Sequence, residues 1–245
     1  MQADVPIETA TPQEMPSRVR ALKRLALFLL GALTRLEVHG AERIPASGPT
    51  ILMMNHLHWA DPAIGLAIVS RPSKMFAADK WEHRPVIGNM LRWSQQTIFV
   101  ARGEVDRRAL ARALEVLQAG GLLAIAPEGT RSKTGALQQA HDGPAYLASR
   151  SGAVIVPVAA YGQEQMVACW KRLRRPHIIV RVGEPYVIPG TPNKAKGPQL
   201  SEYTEQIMLR IAELLPAHYR GVYSDKVVEK AEPKSVEPAG AKIAV

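Results

Sequence analysis

Five short, mainly apolar runs constrain this chain more than anything else in it: residues 50–54 (TILMM), 74–78 (KMFAA), 97–101 (TIFVA), 122–126 (LLAIA) and 154–160 (VIVPVAA). Each is too short for a buried helix and suits a strand, covered on both faces where the run is continuously apolar. Between them, residues 61–69, 81–93, 104–119 and 143–150 read as helices. The clearest is 104–119, where Val105, Ala109, Leu110, Ala113, Leu114 and Leu117 form one apolar stripe and Gly120-Gly121 stop it. Parallel strands cannot be joined by a tight turn and need a crossover, usually helical. The alternation therefore predicts an α/β fold, a central and mostly parallel sheet flanked by helices. Further strands are expected at 36–40 and 177–182 and a last helix at 199–215, and Pro157 implies a bulge or an edge in its strand.

No internal repeat and no linker divides the 245 residues, so one domain is expected, over residues 36–220. Residues 1–17 are expected to be flexible, and 221–245, rich in Lys, Glu, Pro and Ala, disordered. The first residues carry Asp4, Glu8 and Glu14 where a signal peptide would be basic, so no cleaved signal is expected. Residues 25–33 (LALFLLGAL) fall short of the roughly 20 apolar residues a spanning helix needs. Residues 18–35 instead read as an amphipathic interfacial helix. Arg20, Lys23, Arg24 and Arg35 share a sector, interrupted by Leu27 and Gly31, and could reach anionic phosphates. A helix that merely covers the domain's own core fits the same pattern. Thirty-one Lys+Arg against 22 Asp+Glu leave +9, which favours anionic partners without choosing among lipid, cofactor and nucleic acid. The single Cys169 excludes an internal disulfide and fits a reducing compartment.

Two polar segments follow buried strands, the place where α/β sheets build ligand sites. The first is Asn55-His56-Leu57-His58-Trp59-Ala60-Asp61. Asp61-Pro62 reads as a helix start, Asp61 as N-cap and Pro62 in the first turn. On a continuous helix His56 and Asp61 would diverge by about 140°. If the segment turns, the carboxylate can take a hydrogen bond from one imidazole nitrogen and leave the other as an acceptor facing a cleft. An imidazole of ordinary pKa, about 6.5, is mostly neutral near pH 7 and can serve as a base. An ordinary helix cap beside a loop histidine would look the same. The second segment is Ala126-Pro127-Glu128-Gly129-Thr130-Arg131-Ser132, which combines a glycine turn, hydroxyls and a fixed-charge arginine suited to phosphate. A plain polar turn is its alternative. Arg102, just beyond the 97–101 strand, is a weaker candidate of the same kind.

Together these blocks resemble the glycerolipid acyltransferase superfamily, specifically its lysophosphatidic acid acyltransferases, over about residues 36–186. NHLHWAD matches the family's HX4D block, FVAR its second, PEGTRS its third and Val156-Pro157-Val158 its fourth. The resemblance implies acyl transfer from acyl-CoA or acyl carrier protein to the free hydroxyl of a lysophospholipid, most directly 1-acylglycerol-3-phosphate giving phosphatidic acid. It implies His56 as base and Asp61 as its orienter. Arg102, Glu128, Gly129, Thr130 and Arg131 would hold the acceptor's glycerol phosphate, and Pro157 would border the acyl or thioester channel. It implies no metal, no further cofactor, and a peripheral place on the cytoplasmic membrane face. The chain departs from the pattern at His141-Asp142, before Gly143, where relatives often carry basic residues. Other amphiphilic acceptors therefore stay open.

Three other readings bear weighing. A metal site from His56, His58 and Asp61 lacks a further His or Cys cluster nearby. Nucleic-acid binding finds its best patch in Lys171-Arg172-Leu173-Arg174-Arg175, but no helix-turn-helix and no interleaved aromatics, so no nucleic-acid partner is expected. A silent lipid-binding member of the fold would have no use for His56 and Asp61. No GxSxG or GxxxxGK[ST] occurs.

Overall fold

A computed structural model describes residues 14–94, 96–101, 106–188 and 197–227. Helix α1 (Ser17–Leu33) leads into strand β1 (Arg35–His39), and β2 (Thr50–Met54), α2 (Asp61–Ile68) and β3 (Ser73–Ala78) follow. The chain continues through α3 (Ile87–Ser94), β4 (Thr97–Val100), α4 (Arg107–Gln118), β5 (Leu122–Ile125) and α5 (Gly143–Ser151). It closes with β6 (Val154–Tyr161), α6 (Met166–Lys171), β7 (His177–Val182) and α7 (Pro198–Leu214).

The seven strands form one sheet in the order β1-β7-β6-β2-β5-β3-β4. All neighbours are parallel except β6 and β7. Helical crossovers carry the chain outward from β2 to β3 and β4, back to β5, and then across to β6. The carboxyl ends of β2, β5 and β6 thereby come to lie side by side.

Side chains alternate across the sheet as the period of two requires. Ile51 and Met53 face one layer, with Ala113 and Leu117 of α4, Leu147 of α5 and Ile207 of α7. Leu52 faces the other, with Leu30 of α1, Ile64 and Ile68 of α2, and Met166. Burying a residue such as Ile51 or Leu52 is worth about 1.5–3 kcal/mol. Helix α1 is thus part of the fold. Val19 and Leu30 are buried, and Lys23, one of the basic sector read from the sequence, is half-buried and donates to the Val69 carbonyl. Burial pushes its ammonium pKa down.

Four expectations need correction. The 81–93 helix is broken into a short 3-10 turn, Asp79–Trp81, and α3 (Ile87–Ser94), because Pro85 has no N–H to give and disfavours helix at Arg84. Helix α4 starts at Arg107, after Asp106, whose backbone is extended and whose carboxylate accepts from the Ala109 N–H at 2.9 Å and caps it; Glu104 and Val105, included in the expected helix, lie outside the described residues. Pro157 stands in an internal strand, neither bulged nor at an edge. It takes a regular parallel place opposite Met53. On its other side the β6–β7 ladder ends: Gly183 N–H donates to the Pro157 carbonyl at 2.8 Å, and a proline can return no bond. Finally, the chain does not become irregular at 221. Gly221–Lys226 form a 3-10 segment with Tyr223 buried. Residues 1–13 and 228–245, the rest of the two expected flexible ends, lie outside the described residues.

Candidate active site

Asp61 is the centre of the loop that follows β2. It opens α2 as its first residue, not as a cap: Ala60 holds the cap position, and no side chain caps the helix. The carboxylate turns back instead, because three donors lie behind it. Asp61 Oδ2 accepts from His56 Nδ1 at 2.7 Å, Leu57 N–H at 2.8 Å and His58 N–H at 2.9 Å. The turn that the five-residue spacing required is therefore wound around the carboxylate. Asp61 is only 1% exposed, and three donors converging on one oxygen fix the carboxylate in place. Because a carboxylate only accepts, His56 Nδ1 carries the hydrogen, and in the neutral ring Nε2 is the acceptor.

The loop after β5 is tied to the same histidine. Glu128 Oε1 accepts from the His56 N–H at 3.0 Å and Oε2 from the Gln138 N–H at 2.9 Å. Ser132 N–H donates to the His56 carbonyl at 2.7 Å. Glu128 is 2% exposed, and its two oxygens brace the His56 loop against the loop after β5. Burial pushes its carboxyl above the usual carboxylate range, against the two backbone N–H groups that pull it down. Gly129 has φ +66, and a Cβ there would lie 2.9 Å from the His141 ring. Only glycine fits that turn without displacing the histidine. Thr130 is half-buried and Arg131 exposed beside it. Arg102 lies outside the described residues.

Two residues to which the sequence reading gave no role complete the arrangement. Gln163, fully buried just past β6, donates from Nε2 to Asp61 Oδ1 at 3.2 Å and to the Ala160 carbonyl at 3.1 Å. Asn55, also buried, bonds the Ala160 backbone twice, each at 2.8 Å, and pins the His56 loop to β6. The one available signal was position: both sit where a buried strand ends. His58 joins no ligand set. Its Nδ1 accepts from the Ala60 N–H at 3.4 Å, and its ring lies against Trp59. Burial holds its pKa below the ordinary range, with Asp61 opposing and the Arg131 charge adding to the depression. Among the described residues no three His, Cys, Asp or Glu side chains gather closely enough to hold a metal ion. Asp142, the acidic departure before Gly143, is turned away and accepts from Ser201 and Thr204 of α7 at 2.9 and 2.7 Å.

What the geometry offers is an oriented imidazole beside a glycine turn with an exposed arginine, at adjacent strand ends. Known proteins resemble the chain over part of its length. The chain is 30% identical over 145 residues, 58% of its length, to the 1-acyl-sn-glycerol-3-phosphate acyltransferase of Borreliella burgdorferi. It is 28% identical over 136 residues to a chloroplastic enzyme of the same name from Arabidopsis thaliana. The matches span 57% and 36% of those relatives' lengths, less than two thirds of either. The crystal structure of the acyltransferase PlsC from Thermotoga maritima shares the fold, with a TM-score of 0.61 and 22% identity over 77% of this chain and 76% of that one. A family model described as Acyltransferase matches residues 35–161, about half of the chain and the whole span from β1 through the His56 and Glu128 loops to β6; the chain belongs to the acyltransferase family.

Proposed function

We propose that the protein moves a fatty acyl group from acyl-CoA or acyl carrier protein to the free hydroxyl of a lysophospholipid, with 1-acylglycerol-3-phosphate as acceptor and phosphatidic acid as product. The observation that carries this reading is the 2.7 Å bond between His56 Nδ1 and an Asp61 carboxylate held by backbone donors. His56 Nε2 takes the proton of the acceptor hydroxyl as its oxygen attacks the thioester carbonyl carbon. The tetrahedral intermediate expels the thiolate, the C–S bond breaks, and the imidazolium returns its proton to the sulfur. Asp61 stays ionised throughout and stabilises the imidazolium. Arg131, with Gly129, Thr130 and Arg102, binds the acceptor phosphate, and Glu128 sets the position of the His56 backbone. The diversion of Asp142 onto α7 supports a phosphate-bearing acceptor, since it takes an acidic group away from the glycine turn.

The acyl chain of such an acceptor stays in a bilayer, which calls for a membrane-bound enzyme. No helix among the described residues is long and apolar enough to cross a membrane. Helix α1 supplies an alternative, with Leu25, Phe28, Leu29 and Leu33 all exposed and Arg20 and Arg24 on the same helix. It lies in the interface, on the cytoplasmic face. Purified protein is offered acyl-CoA with a panel of lysolipids, and the products are weighed by mass spectrometry. Diacyl product from the phosphate-bearing acceptor is expected; acylation only of acceptors without a phosphomonoester would replace the acceptor assignment.

A further inference from the structure

We infer that the mouth of the His56 site is itself the face that rests on an anionic lipid surface, seated by Trp59, Trp170 and the basic loop that leads from α6 into β7. The inference builds on the acyl-transfer reading, because an acceptor anchored in a bilayer has to meet His56 at headgroup level.

The loop is the first observation. Leu173 is the one non-glycine residue with positive φ among those described, at 53°, and its side chain is 98% exposed. Such a conformation costs a bulky residue about 1–2 kcal/mol, and nothing in the fold buries the side chain in return. The tip is built rather than frayed. Leu173 N–H donates to the Trp170 carbonyl and Arg174 N–H to the Cys169 carbonyl, both at 2.9 Å. Lys171, Arg172 and Arg174 stand exposed around the leucine, and no acidic residue occurs from 165 to 183. An apolar tip ringed by cations suits insertion of the leucine beneath a layer of phosphates that the cations hold. The phosphates of a soluble cofactor would use the cations and leave the leucine unexplained.

The second observation is continuity. Arg175 turns inward and donates to the Gly31 and Thr34 carbonyls at the end of α1. Trp170 Nε1 donates to the Leu33 carbonyl at 3.0 Å. The loop is thereby fastened to the helix whose Phe28, Leu29 and Leu33 are exposed. From Trp170 the contacts run to the His56 loop: its ring lies 6.5 Å from Trp59, and Trp59 lies 4.9 Å from His58. Trp59 is 58% exposed. Tryptophan has an apolar body and a polar edge and settles at the membrane–water boundary. The apolar tip, the indole pair and the exposed flank of α1 thus form one connected surface ending two residues from Asp61.

The test uses the full chain with Trp81→Phe and Trp93→Phe, so that emission comes from Trp59 and Trp170. Vesicles of phosphatidylglycerol and phosphatidylcholine carrying brominated acyl chains are expected to quench that emission and shift it to the blue. Arg172→Gln with Arg174→Gln should weaken vesicle affinity about 25-fold, or about 5-fold for each charge lost near the surface. Leu173→Gln should weaken it again, and kcat with acceptor dispersed in detergent should not change. Protein that binds vesicles with unquenched emission, or loop variants that bind like the parent, would overturn the inference. Unchanged vesicle affinity with a raised acyl-CoA KM in detergent would also overturn it, and would give the loop to the donor. Quenching without acyl transfer to any lysolipid would uphold the docking face and overturn the acyl-transfer reading instead.

Discussion

His56 and Asp61 act as one unit, so their removal is expected to show in turnover rather than in binding. His56→Ala should lower kcat at least about 100-fold, the low end for loss of a general base, while retention on lysolipid-containing vesicles survives; turnover near wild type would remove His56 from the chemistry. Glu128 makes a different prediction. Burial raises its carboxyl pKa in the folded chain, so the folded state holds the proton more tightly than the unfolded one. That contribution is fully favourable below the unfolded carboxyl value, about 4.3, and is lost as pH rises through the elevated folded value. Glu128→Gln cannot ionise and stands in for the protonated form. The Tm of wild type relative to that variant should therefore fall with rising pH, as thermal melts across an acid-to-neutral series would show. A difference independent of pH would mean that Glu128 ionises in place at no cost. The brace it provides joins positions 72 residues apart, and for that reason it was not legible in the sequence.

Among the elements, α1 serves two masters. One side buries Val19 and Leu30, the latter in the core layer beneath the sheet, and the other leaves Leu25, Phe28 and Leu29 exposed. Deleting the helix would strip Ile64 and Ile68 of cover and confuse unfolding with loss of docking. Replacing Leu25, Phe28 and Leu29 by serine touches only the outer side. Such surface changes shift stability by about 0.5 kcal/mol or less apiece, so Tm should hold while sedimentation with anionic vesicles falls. An undiminished pellet would relocate the membrane contact. The helix itself was legible in the sequence, apolar run and basic flanks alike. What was not legible is how its end is closed: Arg175 and Trp170 satisfy carbonyls that the last turn leaves without partners. The burial of Lys23 against Val69 was equally out of reach.

Across the whole molecule, the site exists because β5 and β6 flank β2. The Glu128 loop and Gln163 reach the His56 loop from either side. Gln163→Leu would leave Asp61 Oδ1 without its donor, at a cost of about 1–3 kcal/mol for a buried acceptor. Gln163→Glu would place a second carboxylate there and raise the apparent pKa values of the pair. The leucine variant should lower Tm, and the glutamate variant should also displace the acid limb of the kcat/KM–pH profile. An unmoved profile would reduce Gln163 to packing. The amino-acid sequence by itself determined the alternation of strands and helices and the placing of His56 and Asp61 five residues apart after a buried strand, because periodicity and spacing are properties of neighbours along the chain; whether that segment turns to pair the two it left open. Only the tertiary structure decided the strand order, the antiparallel turn-back of β7, the inner place of Pro157 and the bracing by Glu128 and Gln163. Each of those depends on which distant segments pack together, and many loop closures of similar entropic cost are open to the same local pattern.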